Sequence, residues 1–184
     1  YKGDMMDMSD AIKQLSTDTG IAAKEVALAT YNAISAGVDT ADSVEFVATA
    51  NALAVGGFTD MTTAVDVLTT TLNAYGDKAG TAEEISDRLI TTQNLGKTTV
   101  DELSASIGRV IPTASAYGIS IDNLCASYVA MTKGGIATAE STTYMKSMFN
   151  ELADSGSTVG TILQEQTGQS FGQLMASGKS LADV

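Results

Sequence analysis

Apolar residues recur along this chain at spacings of three and four, in short runs that each stop near a glycine. Met5, Met8, Ile12 and Leu15 mark the first run, ahead of Gly20. Ala27, Tyr31 and Ile34 mark the second, ahead of Gly37, and Phe46, Ala50 and Leu53 the third, ahead of Gly57. The fourth is the clearest: Met61, Ala64, Val65, Leu68, Leu72 and Tyr75 form one stripe, opposite Thr62, Thr63, Asp66, Thr69 and Thr70. Threonine is a mediocre helix former, so tertiary packing must hold this helix. Val100, Leu103, Ile107, Val110 and Ile111 form a sixth run before Pro112, the only proline, where a helix must kink or restart. Met145, Met148, Phe149 and Leu152 give the eighth an inward face.

The stops share a form. Glycine followed by an apolar residue occurs at Gly20-Ile21, Gly37-Val38, Gly57-Phe58, Gly118-Ile119 and Gly135-Ile136. Glycine supplies the left-handed residue that ends a helix, and the next apolar side chain folds back onto the last turn. Caps or helix starters follow at Thr40, Asp60, Thr99, Ser120 and Thr138. Thr81 with Glu84 and Thr99 with Glu102 read as capping boxes that open the fifth and sixth helices. Helix ends are expected at Gly20, Gly37, Gly76, Gly96, Gly118 and near Gly134, with positive φ at most of them.

No strand-like alternation persists. The fold class is all-α: about eight short helices with glycine C-caps, packed as a multi-helix domain whose even spacing permits a layered stack. After Asp154 the texture changes, with Gly156, Gly160, Gly168, Gly172 and Gly178 interrupting two short apolar pieces. Residues 1–153 read as the helical core domain. Residues 154–184 read as a Gly-rich short-helix segment that continues into a longer protein, in keeping with a start at Tyr1 rather than Met.

The 184 residues are 44% hydrophobic but only 5% aromatic, with no Trp and eight Met. The core must therefore be built from Ala, Leu, Ile, Val and Met, and Met specifies shape weakly. A net charge of −12 repels phosphate backbones and anionic lipid, which argues against nucleic acid and membrane surfaces as partners. The longest uncharged runs, such as Phe46 to Thr59, are too short and polar to span a bilayer.

The absence of His excludes Ser-His-Asp and Cys-His arrangements and His-based zinc sites. The single cysteine, Cys125, lies among apolar residues and reads as a buried thiol. Glu83-Glu84 and Asp101-Glu102 fall in first helical turns, where they complement caps and dipole rather than face each other across a cleft. Gly96-Lys97-Thr98 and Gly178-Lys179-Ser180 resemble the end of a phosphate loop, but neither has the earlier glycine at the required place or a strand before it. Gly156 and Gly160 give a small-xxx-small spacing in a polar segment, not an apolar span. No catalytic, cofactor or metal residues are assigned, and no cofactor.

Several strings, in order along nearly the whole chain, resemble the core region of phage tail tape measure proteins. They are Tyr31 to Gly37, Gly57 to Asp60, Ala64 to Gly76, Leu95 to Leu103, Gly135 to Glu140, and Gly168 to Leu181. Two positions depart from the family's habit: Ala137 stands where proline is common, and Val100 where an aromatic is common. The resemblance implies a minor tail protein of long-tailed phages or prophages. Such proteins run down the tail tube lumen, set its length and leave it during genome delivery. It implies as partners the tail tube, tail-tip proteins and assembly chaperones, with self-association among the candidates. The implied location is the virion tail, and the host bacterial cytoplasm during assembly.

A ruler works when extended, at about 1.5 Å per residue of continuous helix, and glycine stops at this density cannot make a long rod. The segment is therefore expected to be a globular module on the ruler. Two other readings remain open: a helical adaptor that takes a partner helix in a Met-lined groove, and a lytic glycosidase acting through a lone Glu.

Overall fold

Helices this short are marginal alone, so their stability must come from packing their apolar faces together. The computed structural model describes residues 2–179, with side chains described from Asp7 onward. The side chain of Met5, and Ser180 and Leu181 of the strings quoted above, lie outside the described residues. Among the described residues eleven α-helices follow in order: α1 (Lys2–Thr19), α2 (Ala23–Ser35), α3 (Ser43–Gly56), α4 (Met61–Tyr75), α5 (Ala82–Leu95), α6 (Val100–Ile107), α7 (Ile111–Ala116), α8 (Ile121–Lys133), α9 (Thr138–Ala153), α10 (Thr158–Thr167) and α11 (Phe171–Ala176). A 3-10 turn, Gly76–Ala79, joins α4 to α5. No β-strand occurs among the described residues, and the fold is all-α.

α4 is the hub. It touches α2, α3, α5, α6 and α7, while α8 packs on α5 and α9, and α9 on α6, α7, α10 and α11. Its stripe is buried at Ala64, Val65, Leu68 and Tyr75, with Met61 and Leu72 half-buried. Enclosure goes further than one stripe, because Thr69 and Thr71 are buried as well. Each hydroxyl donates to the carbonyl four residues back, Val65 and Val67, at 2.8 Å. That bond lets a helix surrounded by neighbours bury threonine without an orphaned donor. Thr69, expected on the polar face, is thus a core residue.

Two further expectations need correction, on α2 and α9, while the expected restart at Pro112 is found. The buried face of α2 is Val26, Ala29, Thr30 and Ala33, and Ala27 and Tyr31 face out. Alanine occurs at so many positions of α2 that periodicity alone fits either face. On α9, Met145 and Phe149 are buried and Leu152 is half-buried, but Met148 is exposed. The sixth run is buried throughout, yet it is split: α6 ends at Ile107 and α7 restarts with Pro112 in its first turn, where a missing N–H costs nothing.

The caps follow the sequence closely. Thr81 and Glu84 form a full capping box. Asp60 accepts from the Thr63 N–H and hydroxyl, and Ser120 accepts from the Asn123 N–H. Thr99 accepts from the Glu102 N–H at 3.1 Å, but the Glu102 carboxylate does not complete the box. It accepts instead from the Thr138 hydroxyl at 2.8 Å, tying α6 to α9. Thr138 is the first residue of α9 rather than its cap, and Thr40 precedes the cap position of α3, which Asp42 occupies without a side-chain bond.

Gly20, Gly37, Gly76 and Gly118 all have positive φ, as does Gly135 just past α8, while Gly134 is right-handed. After Gly37, Gly118 and Gly135, the N–H of the next apolar residue reaches back to Ala33, Ala114 and Met131, closing Schellman motifs at 2.9 to 3.1 Å. Gly96 is extended, and a β-carbon there would lie 2.8 Å from the Thr132 hydroxyl. It is glycine because α8 comes close.

Candidate functional site

The chemistry-bearing residues of the sequence are placed in structural roles. Glu84 serves its capping box, and Asp101 accepts the Thr59 hydroxyl at 3.0 Å. Cys125 is buried, which pushes its thiol above the ordinary range. It lines a groove of about 300 Å³ between α5 and α8 with Leu95 and Val129. At the edge of that groove Arg88 Nε meets Asp122 Oδ1 at 2.6 Å. The Lys97 N–H donates to the Thr132 hydroxyl, so the Gly96-Lys97-Thr98 string is a helix–helix junction. Gly160 lies in the first turn of α10, capped by Ser157. Among the described residues no group of His, Cys, Asp and Glu is arranged to hold a metal ion, and no helix is long and apolar enough to cross a membrane.

The feature that departs from an ordinary helical surface lies where α3 turns into α4. A β-carbon on Gly57 would sit 2.7 Å from Val100 Cβ and Cγ2, so the start of α6 rests directly on this glycine. Gly57 is buried and right-handed, at φ −91°. The left-handed position passes to the next residue, Phe58, at φ 54°, the single non-glycine with positive φ among the described residues. The Thr59 N–H then closes the Schellman bond to Ala54 O at 2.9 Å. A bulky side chain held in this conformation costs about 1–2 kcal/mol. Phe58 is also 90% exposed, so no packing of its ring offsets that cost.

Beside this turn, α2, α3 and the start of α4 border an open groove of about 450 Å³. Its apolar lining includes Ile21, Leu28, Ala29, Ala54, Val55 and Met61, and its charged lining is acidic, Glu25 and Asp60. Leu28 is 56% exposed and Val55 69%. Hydrogen bonds from Thr63 hold the Asp60 carboxyl below its usual range. The groove is of the size that takes ligands or partner side chains, about 300–1,000 Å³. Sequence periodicity did not reveal it. The available signals were Leu28, which falls off the Val26-Ala29-Ala33 face, and a doubled glycine followed by an aromatic, Gly56-Gly57-Phe58.

The family model for phage-related minor tail proteins matches residues 9–184. A relative from Clostridium phage phiCD119, called a probable tape measure protein, is 34% identical over an alignment taking in 100% of this chain and 20% of the relative. The chain thus spans about a fifth of that relative's length. No solved structure matches the chain. With the match running through one continuous helical fold, the chain belongs to the family of phage-related minor tail proteins.

Proposed function

We propose that the chain is a folded structural module of a tape measure protein, acting in tail assembly without catalysing a reaction. The observation that carries this reading is the family match across residues 9–184, coincident with packed helices instead of one rod. The parent chain, running in the tail tube, would set tail length and leave during genome delivery. The module would meet tube, tail-tip or chaperone proteins in the virion tail and, during assembly, in the host cytoplasm. Within it, we take residues 1–153 as the helical core domain and 154–184 as a Gly-rich short-helix segment.

Deleting the module from a prophage, with tails measured by electron microscopy, tests the reading. The expected result is failed assembly, or tails shortened by far less than an extended segment would require. At about 1.5 Å per residue of continuous helix, 184 residues span roughly 280 Å. A shortening of that size would show that the segment itself is ruler and overturn the module reading. Purified chain should release no soluble fragments from peptidoglycan; release abolished by a single Glu→Gln change would overturn the non-catalytic assignment.

A further inference from the structure

Two independent features meet at the α3–α4 turn: an open apolar groove with acidic lining, and a strained, exposed aromatic between two of its lining residues, Val55 and Thr59. Strain of this kind persists where surrounding structure enforces it, and it clusters at binding surfaces. Here Gly57 lies against Val100 with no room for a β-carbon, and Phe58, which follows it, takes the left-handed position and stands out in solvent.

We infer that this groove is a docking site for a basic amphipathic helix of a partner protein. The charges select the occupant. Glu25 and Asp60 are the charged lining residues, Asp101 is hydrogen-bonded to lining Thr59, and the whole chain carries −12. An acidic helix, or a second copy of this chain, would meet repulsion, whereas Lys and Arg flanking an apolar stripe would pair with the rim. Leu28, Val55 and Met61 give the groove an apolar lining for the apolar stripe of such a helix, and exposed Phe58 precedes lining Thr59 in the chain. Asp60 keeps its negative charge while capping α4, so the rim charge belongs to the fold. The inference stands on the groove and does not depend on the tail function proposed above.

The probes are designed helical peptides of about 18 residues, five turns. One carries a Leu stripe flanked by Lys, a second replaces Lys by Glu, and a third keeps the Lys content but scrambles the stripe. Binding is read by fluorescence anisotropy and the site by chemical-shift changes in the 184-residue chain. The Leu/Lys peptide should bind, perturb Leu28, Val55 and Phe58, and weaken as salt rises. Phe58→Gly, which relieves strain and so leaves the fold intact, should weaken it roughly tenfold, the worth of one buried aromatic side chain. Leu28→Ser with Val55→Ser should do the same, and Glu25→Gln should flatten the salt dependence.

Equal binding of the Glu peptide or the scrambled peptide, or unchanged affinity in Phe58→Gly, would overturn the inference. A concentration-dependent dimer that Phe58→Gly abolishes would replace the partner helix by a second copy. A full-length parent that refuses the Leu/Lys peptide while the 184-residue chain takes it would assign the groove to the parent's own chain.

Discussion

Phe58 occupies a backbone position that glycine fills after α2, α7 and α8. Replacing it by glycine removes about 1–2 kcal/mol of left-handed strain, and the added freedom of the unfolded chain takes back part of it. Phe58→Gly should therefore raise stability by about 0.5–1 kcal/mol in urea unfolding; a loss would mean that the ring packs. Gly57→Ala should cost about 1–3 kcal/mol by overpacking. Truncating Val100 to alanine cannot rescue it, because Val100 Cβ is itself one of the crowding atoms. Among the described residues, the buried hydroxyls of Tyr75 and Ser141 have no hydrogen-bond partner. An orphaned polar group costs about 1–3 kcal/mol, so Ser141→Ala should stabilise by about 1 kcal/mol. Unchanged stability in that variant would point to an ordered water bonding the Ser141 hydroxyl.

At the scale of elements, α4 concentrates the contacts and hence the sensitivity. Leu68 is fully buried, and Leu68→Ala should cost about 2–5 kcal/mol. Thr71 is equally buried, but its hydroxyl only shares a carbonyl that the helix already satisfies. Thr71→Val keeps the volume, so it should change stability by less than about 1 kcal/mol. A large loss there would show that the hydroxyl bond, not the packing, holds this turn. The seam between α6, α8 and α9 is of another kind. To apolar packing it adds hydrogen bonds among hydroxyls and a carboxylate: Thr98 on Thr138 at 2.7 Å, Thr138 on Glu102 at 2.8 Å, and Tyr128 on Thr142 at 2.5 Å.

Over the whole molecule, the buried polar residues among those described are all Ser and Thr, and the buried aromatic side chains are few. Among the described residues Met145 and Met175 are the only buried methionines, so the apolar core is mainly Ala, Val, Leu and Ile, interleaved with buried hydroxyls that add little apolar area. A compact domain of this length has a radius of gyration of about 16 Å, hence a diameter of roughly 40 Å, a tight fit for a narrow tube. We expect a low denaturant midpoint for its size; persistence of the fold in strong guanidinium would defeat this. Titration adds a second handle. Burial pushes the Tyr128 phenol up to about 12 and raises Tyr75 further, so folding favours both phenols neutral. Their contribution is complete below the unfolded value near 10 and is lost as pH rises through the folded values. Helical circular dichroism should fall as pH rises through the folded values, and a Tyr128→Phe variant should lose less of it there. Asp60 acts with the opposite sign: its contribution is present above the unfolded value near 3.8 and is lost as pH falls through the lower folded one.

The sequence alone determined the helical class, the helix ends and most of the caps, because each depends on residues at most five positions apart. Gly37 with Val38, Thr81 with Glu84 and Asp60 with Thr63 are closed within one turn of chain. The stripes of α4 and α6 were legible for the same reason, since large apolar residues mark one face. Tertiary structure decided the rest. Which face of alanine-rich α2 turns inward depends on α1, α3 and α4. Whether Glu102 closes its own box or reaches Thr138 depends on a helix thirty-six residues away. The groove is bordered by residues of α2, α3 and α4 brought together in space, and Gly57 meets Val100 across forty-three positions, neither of which a local pattern encodes.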